Sequence, residues 1–267
     1  MTRVAVVGHV EWVHFVRVEH FPRRGAVTPA VAGFTHAGGG AVVAAVVLAE
    51  LGAEVDFFCA LGRDADGEAA AGELRARGVK VHAAWRDAPT RGIVTLLETG
   101  GRRTIITLGE RLEPSGDDPL PWSRLEQAAG VYFTAGDAAA ARAATRAPAV
   151  LVATPRARNG LEESDAAIDA LVFSAHDADE RRWARGFEPQ TRLMVQTEGK
   201  RGGRWWGESE GRWPAVPAPG PVQDDYGCGD AFAAGLTLGL ARRLSVSAAA
   251  AIGAQIGARV STRAGAP

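Results

Sequence analysis

Short runs of β-branched apolar residues alternate along this chain with alanine- and leucine-rich stretches that stop at glycine, and this alternation constrains the fold more than any other feature. Residues 4–7 form such a run, ending at Gly8, with the unbroken apolar character of a strand buried on both faces of a parallel sheet. Residues 41–51, stopped by Gly52, have the composition of a helix with glycine just past its end. Residues 55–61 supply the next buried strand, and 66–77, stopped by Gly78, the next helix. Repeated βα units predict a doubly wound, mainly parallel sheet. Further strands are expected at 130–133, 149–153, 170–173 and 193–197, and closing helices at 231–243 and 245–260.

Two regions break the pattern. Residues 12–18 place Trp12, His14, Val16 and Val18 on one face and Val13, Phe15 and Arg17 on the other, as in a strand covered mainly on one side. A returning strand over 27–35 and a hairpin of 93–98 with 104–108 around Gly100-Gly101 complete a small appended sheet. Later, 202–206 and 211–213 pair across a turn. That turn contains Gly207-Glu208-Ser209-Glu210-Gly211, which matches the G-x-S-x-G of hydrolases but lacks the helix that must follow the serine.

Composition narrows the function. The 267 residues suffice for one large α/β domain or two modest ones, and no linker composition forces a split, so a single domain over 1–267 is expected. With 30 basic against 31 acidic residues, no charge excess draws the chain to nucleic acid or to an anionic membrane. The longest apolar run, 41–49, is too short to span a bilayer, and the N-terminus turns polar at Gly8-His9. Cys59 and Cys228 are the only cysteines and fit a reducing cytoplasm better than a disulfide framework. Lys80 and Lys200 are the only lysines, so almost all positive charge is arginine. No Walker-type P-loop, dinucleotide fingerprint or paired-cysteine metal pattern occurs.

The informative stretch is Asp224-Asp225-Tyr226-Gly227-Cys228-Gly229-Asp230-Ala231-Phe232. Two glycines let the backbone turn tightly and present N–H groups at a helix start, where an anion is favoured. An aspartate held there can take a proton from a nearby hydroxyl, which suits phosphoryl transfer to an alcohol. The competing reading is that Asp230 merely caps the helix.

This stretch resembles the D-T-x-G-A-G-D-x-F signature of the ribokinase-like, or PfkB, family of ATP-dependent sugar and nucleoside kinases, with Asp224, Gly227, Gly229, Asp230 and Phe232 in register. The resemblance implies a three-layer αβα fold with a β lid from about 12–35 and 91–108. It makes Asp230 the base for the acceptor hydroxyl and the amides of Gly227, Cys228 and Gly229 an anion hole. Gly38-Gly39 stands where the family has a glycine pair facing the sugar, and Gly62 to Gly67 resembles a structural G-x-D-x-x-G turn. Thr197, Gly199 and Gly202 match the T-x-G-x-x-G segment lining the nucleotide site, and Asp224 is assigned to that site as well.

The departures concern the acceptor and the metal. Where relatives carry an N-x-D pair this chain has Glu11 and Val13, and Gly40-Ala41-Val42-Val43 replaces the usual polar continuation of the glycine pair. Glu11 or His14 is the candidate acceptor contact on the appended sheet, against the competing reading of a plain surface strand pair. The N-x-x-E pair that organises magnesium becomes His176-Asp177-Ala178-Asp179, leaving Asp179 as the expected metal ligand. Trp205, Trp206 and Trp213 are expected to pack in the hairpin rather than stack on adenine. The resemblance thus implies ATP and Mg2+, admits a monovalent cation, and suggests a homodimer through the lid. It leaves a sugar acceptor, a nucleoside accommodated by Val13, Val42 and Val43, or a catalytically weak ligand-binding relative.

Overall fold

Alternate residues of the first strand, β1 (Arg3–Val7), enter opposite cores: Val4 and Val6 one, Ala5 and Val7 the other. This period of two, repeated in each central strand, builds a sheet buried on both faces. The computed structural model describes residues 1–98, 103–146 and 149–265, so the expected Gly100-Gly101 turn lies outside the described residues.

After β1 the chain forms β2 (Glu11–Val18), β3 (Ala32–Gly38), α1 (Gly40–Glu50), β4 (Glu54–Gly62), α2 (Ala65–Ala76), β5 (Lys80–Arg86), β6 (Gly92–Glu98) and β7 (Arg103–Leu108). The second half comprises β8 (Gly130–Phe133), α3 (Ala138–Thr145), β9 (Val150–Ala153), α4 (Arg158–Ser164), β10 (Ile168–Ser174), α5 (Ala178–Phe187) and β11 (Thr191–Thr197). It ends with β12 (Gly203–Gly207), β13 (Gly211–Trp213), α6 (Cys228–Ala241) and α7 (Val246–Val260). The large sheet has the order β13-β12-β11-β10-β9-β8-β1-β4-β5, antiparallel only at β12 and β13. Buried side chains of α1, α2, α6 and α7 cover one face, and those of α3, α4 and α5 the other. The expected three layers are present.

The second sheet, β3-β2-β6-β7, is the lid. Its inner face carries Val13, Phe15, Ile93 and Leu97, all buried. The returning strand starts at Ala32, five residues later than expected, and Val27 is 99% exposed. Pro22 and Pro29, which lack N–H donors, stand before the start of pairing opposite Arg17. Strand β5 was not anticipated at all, although Val79, Val81, Ala83 and Trp85 alternate; it forms the sheet's far edge beside β4. Helix α6 starts at Cys228 rather than Ala231, which brings Asp230 inside its first turn. Trp213 stacks between Trp205 and Phe232, so the hairpin tryptophans pack as expected. Among the described residues no helix is long and apolar enough to cross a membrane.

One buried charge lies away from the lid. Asp56 on β4 is 1% exposed and accepts hydrogen bonds from Arg124 Nε at 2.6 Å and His82 Nε2 at 2.7 Å. Burial pushes its carboxyl up, but Arg124 and His82 outweigh this and hold it below the ordinary value of 3.8. The lowered folded-state value means this stabilisation is present above the unfolded value and is lost as pH falls through the folded one. Asp56→Ala, which leaves Arg124 and His82 unpaired, is expected to cost about 3 kcal/mol near neutrality. Urea unfolding at pH 7 and below pH 4 measures it, and the difference between wild type and variant should shrink in acid.

Candidate active site

Strand order reverses at β1: the chain moves outward through β4 and β5 on one side, and through β8 to β11 on the other. Loops leaving β1 and β8 therefore diverge, opening a crevice at the carboxyl ends of the strands. Helices α1 and α6 both begin there. A Cβ at Gly40 would stand 2.7 Å from Asp230 Cγ and closer still to Oδ1, so only glycine permits the two helix starts to approach this nearly. Gly227, the N-cap of α6, has φ 72°, a left-handed conformation that glycine adopts without strain, and its backbone lies against Val43 of α1.

Asp230 does not cap its helix. Its Oδ1 accepts a hydrogen bond from the Tyr132 hydroxyl of β8 at 3.0 Å, leaving Oδ2 unengaged by that bond. The carboxyl is half-buried, and Gly229 beside it is exposed. Burial pushes the Asp230 carboxyl above its ordinary value; the Tyr132 bond, His9 and Arg156 oppose the shift, and Glu180 adds to it. A raised value makes the ionised group a stronger proton acceptor. Cys228, whose thiol is pushed up to about 12 by burial and the surrounding aspartates, is no thiolate nucleophile. The Gly229 N–H belongs to the first turn of α6, where no intrahelical acceptor is available to it, and the Cys228 N–H makes a long bond of 3.4 Å to the Asp225 carbonyl.

On the lid side, the structure brings Gly38, Gly39 and Glu11 together. Gly39 N–H donates to the Tyr226 hydroxyl at 3.0 Å, and Cβ positions built on Gly38 and Gly39 would press on Tyr226, His9 and Glu11. Glu11 lies 3.6 Å from His9 Nε2 and 3.5 Å from Arg91 Nη1. Burial raises its carboxyl, but His9, Arg91 and Arg111 together hold it below the ordinary range. His14 instead faces solvent and bonds Thr35. The lid reaches the loop before α6 directly: Arg103 pairs with Asp225 at 2.7 Å, and Phe15 meets the Tyr226 ring edge-on at 5.3 Å.

On the other side, Thr197 ends β11, and Gly199 and Gly202 shape the turn beyond it, closed by Glu198 N–H to Gly202 carbonyl at 2.7 Å. His176 Nε2 lies 3.3 Å from the Glu198 carbonyl, joining this turn to the loop after β10. Asp224 stands apart from any open surface. It is buried, and its two oxygens accept N–H bonds from Tyr226 and Gly265, each at 2.8 Å, so it braces the loop. Burial raises its carboxyl.

Asp179 is also displaced from the expected role. It is 56% exposed and pairs with Arg182 at 2.7 Å. The acidic group turned inward is its neighbour Glu180, which is buried, accepts the Ser174 N–H at 2.8 Å and is engaged by Arg156. Asp177 caps α5 and also pairs with Arg156. Among the described residues no group of three or more potential ligands gathers to hold a metal ion. Every carboxylate on this loop already has a cationic partner, so the donor set does not fit a protein-held Mg2+.

Tyr132, His9, Tyr226, Arg156 and Glu180 are the site neighbours that sequence reading missed. One signal was available for Arg156: polar residues just beyond the carboxyl end of a predicted parallel strand face the ligand crevice.

The family model for pfkB family carbohydrate kinases matches residues 1–267. No curated protein matches. Among solved structures, ribokinase from Thermotoga maritima is similar with a TM-score of 0.81 at 18% identity, covering 100% of this chain and 95% of that one. Arabidopsis thaliana ribokinase complexed with ribose and ATP gives 0.79 at 21% identity, with 100% and 95% covered. Adenosine kinase from Sinorhizobium meliloti gives 0.78 at 19%, with 99% and 95% covered. These structures share the fold, and because the family match runs from the first residue to the last, the chain belongs to the pfkB carbohydrate kinase family.

Proposed function

We propose that the protein is an ATP-dependent kinase that phosphorylates a hydroxyl of a small sugar or sugar-like acceptor. The observation carrying this reading is the placement of Asp230: a half-buried carboxylate, oriented by Tyr132, in the first turn of the helix whose opening N–H groups have no intrahelical acceptor. In the reaction the bond from the γ-phosphorus to the β,γ-bridging oxygen breaks and one to the acceptor oxygen forms. The hydroxyl proton passes to Asp230. The amides of Gly227, Cys228 and Gly229 meet the charge on the transferred group, a role that positioned donors fill without reorganising.

Family membership and an Arabidopsis relative complexed with ribose and ATP support this reading. The acceptor side is the lid, with Gly38, Gly39 and Glu11. The nucleotide side is the β11 turn, with Thr197, Gly199 and Gly202. The carboxylates of the β10 loop are paired with arginines, so a magnesium ion, which would offset phosphate charge, would be held by the nucleotide phosphates rather than by these side chains. Closure of the lid through Arg103 and Phe15 excludes water and limits ATP hydrolysis. We place the enzyme in the cytoplasm, in keeping with its two free cysteines.

A coupled assay of ADP release over a panel of sugars and nucleosides tests the reading. One acceptor should stimulate ADP formation well above the basal rate; ligands that shift the melting temperature without any turnover would favour a binding protein instead. A nucleoside acceptor is the second reading. It is favoured by the stacked rings of Phe15, Phe34 and His36 inside the lid, with centroids 4.8 to 5.5 Å apart.

The outer face of the lid is the surface we assign to a second copy of the chain. Pairing register puts Ile106 and Leu108, 47% and 52% exposed, beside Val94 and Trp12 on that face. The wild type is expected to run as a dimer in analytical ultracentrifugation, and Ile106→Glu with Leu108→Glu as a monomer. A monomeric wild type defeats the assignment.

A further inference from the structure

Phosphoryl transfer needs positive charge at the phosphates, and this chain has little lysine to give: Lys80 pairs with Glu54 at the opposite end of β5, leaving Lys200. The loop after β9 offers an arginine instead. Register aligns Tyr132 of β8 with Val152 of β9, and Val152 with Ala170 of β10. Arg156 and Ser174, each four residues beyond, rise from the rim where Tyr132 holds Asp230. A short turn over Pro155–Ala157, closed onto Thr154, fixes the backbone of Arg156.

Its side chain is fixed as well. Arg156 Nε–H donates to Glu180, and Nη2 to Asp177 at 2.5 Å. Glu180 is anchored by the Ser174 amide, and Asp177 by two amides of α5. Nη1 has no protein partner among the described residues. A planar guanidinium held along one edge presents its remaining N–H groups in a set direction, which a flexible ammonium cannot do. Its charge is felt at both Asp230 and Tyr132.

We propose that Arg156 is a catalytic residue of the kinase reaction, its guanidinium aimed by Glu180 and Asp177 so that its unbonded edge meets the γ-phosphoryl oxygens. The inference rests on the kinase reading given above. Arg156 changes no covalent bond; it offsets charge on the γ-phosphoryl group as it moves from ATP to the acceptor oxygen and ADP departs. It also explains the pairing of Asp177 and Glu180: they orient an arginine.

Calorimetric binding of ADP and of the non-hydrolysable β,γ-imido analogue of ATP tests this without knowing the acceptor. Arg156→Gln is expected to weaken the ATP analogue by about ten- to a hundredfold, the range of a lost charge-assisted hydrogen bond, and ADP by less than about twofold. Arg156→Lys should fall between. Because Arg156→Gln leaves buried Glu180 without its cation, the double variant Arg156→Gln, Glu180→Gln keeps a neutral hydrogen-bonded pair, and it should show the same selective loss. Equal weakening of both nucleotides in the double variant, or none, overturns the proposal while leaving the kinase reading standing. Wild-type protein that binds neither nucleotide overturns both.

Discussion

Asp230→Asn is expected to lower kcat by about a thousandfold while changing acceptor KM and nucleotide affinity by less than about threefold, since general-base catalysis contributes roughly 10²–10⁴. The substitution is nearly isosteric, and an asparagine carbonyl still accepts the Tyr132 O–H bond made to Oδ1. What disappears is the ability to take a proton. Stability should move the other way. Burial raises the folded-state value of Asp230 above its ordinary one, so the charged form is disfavoured in the folded chain and stability falls as pH rises through that interval. At neutral pH the uncharged asparagine removes that penalty, and the melting temperature of the variant should rise. A helix-capping aspartate predicts the reverse, because loss of a cap destabilises. Activity assays with thermal melts therefore separate the two roles: unchanged kcat with a lowered melting temperature would rule out the base. For the wild type, activity should decline on the acid side with a midpoint above the ordinary aspartate range.

Sequence periodicity carried most of the architecture because the central strands are buried on both faces. An apolar run such as residues 4–7 has few alternative fates in a chain of this length. Where pairing depends on distant partners the reading weakened. Residues 80–86 have a strand's alternation, but among the described residues the strand they pair with is β4 alone, and nothing local marks an edge strand. The start of α6 was misplaced because its N-cap is a left-handed glycine with no side-chain signal. The site was legible where chemistry and backbone geometry coincide, in the Gly227–Asp230 turn and the Gly38-Gly39 pair. It was not legible where tertiary packing decides between adjacent residues. Asp179 and Glu180 have the same charge and lie side by side; the turn of α5 sends one to solvent and Arg182, the other inward to Arg156. Tyr132 is an apolar-strand residue until the fold brings its hydroxyl to Asp230.

Gly40→Ala is expected to reduce kcat by about a hundredfold or more with only a modest loss of stability. The added methyl would meet the Asp230 carboxyl at 2.7 Å from Cγ and 3.0 Å from Oδ2, distances that real Cβ atoms avoid. The carboxyl must rotate away from Tyr132, or α6 must move off α1. Either shift displaces the base from the acceptor by a fraction of an ångström to an ångström, and a misplacement of that size costs about 10² in rate. The stability effects offset one another. Overpacking costs roughly 1–3 kcal/mol, while alanine is a better helix former than glycine by about 1 kcal/mol in a helix interior and by less at the first residue, where Gly40 stands. Gly72→Ala provides the control: it lies in α2, a Cβ there meets nothing within 4 Å, and the change should stabilise the fold by up to about 1 kcal/mol without affecting turnover. Steady-state kinetics and urea unfolding of the two variants decide the matter. If Gly40→Ala retains full kcat, the approach of the two helix starts is not what holds Asp230 in place, and the geometry assigned to the base is wrong.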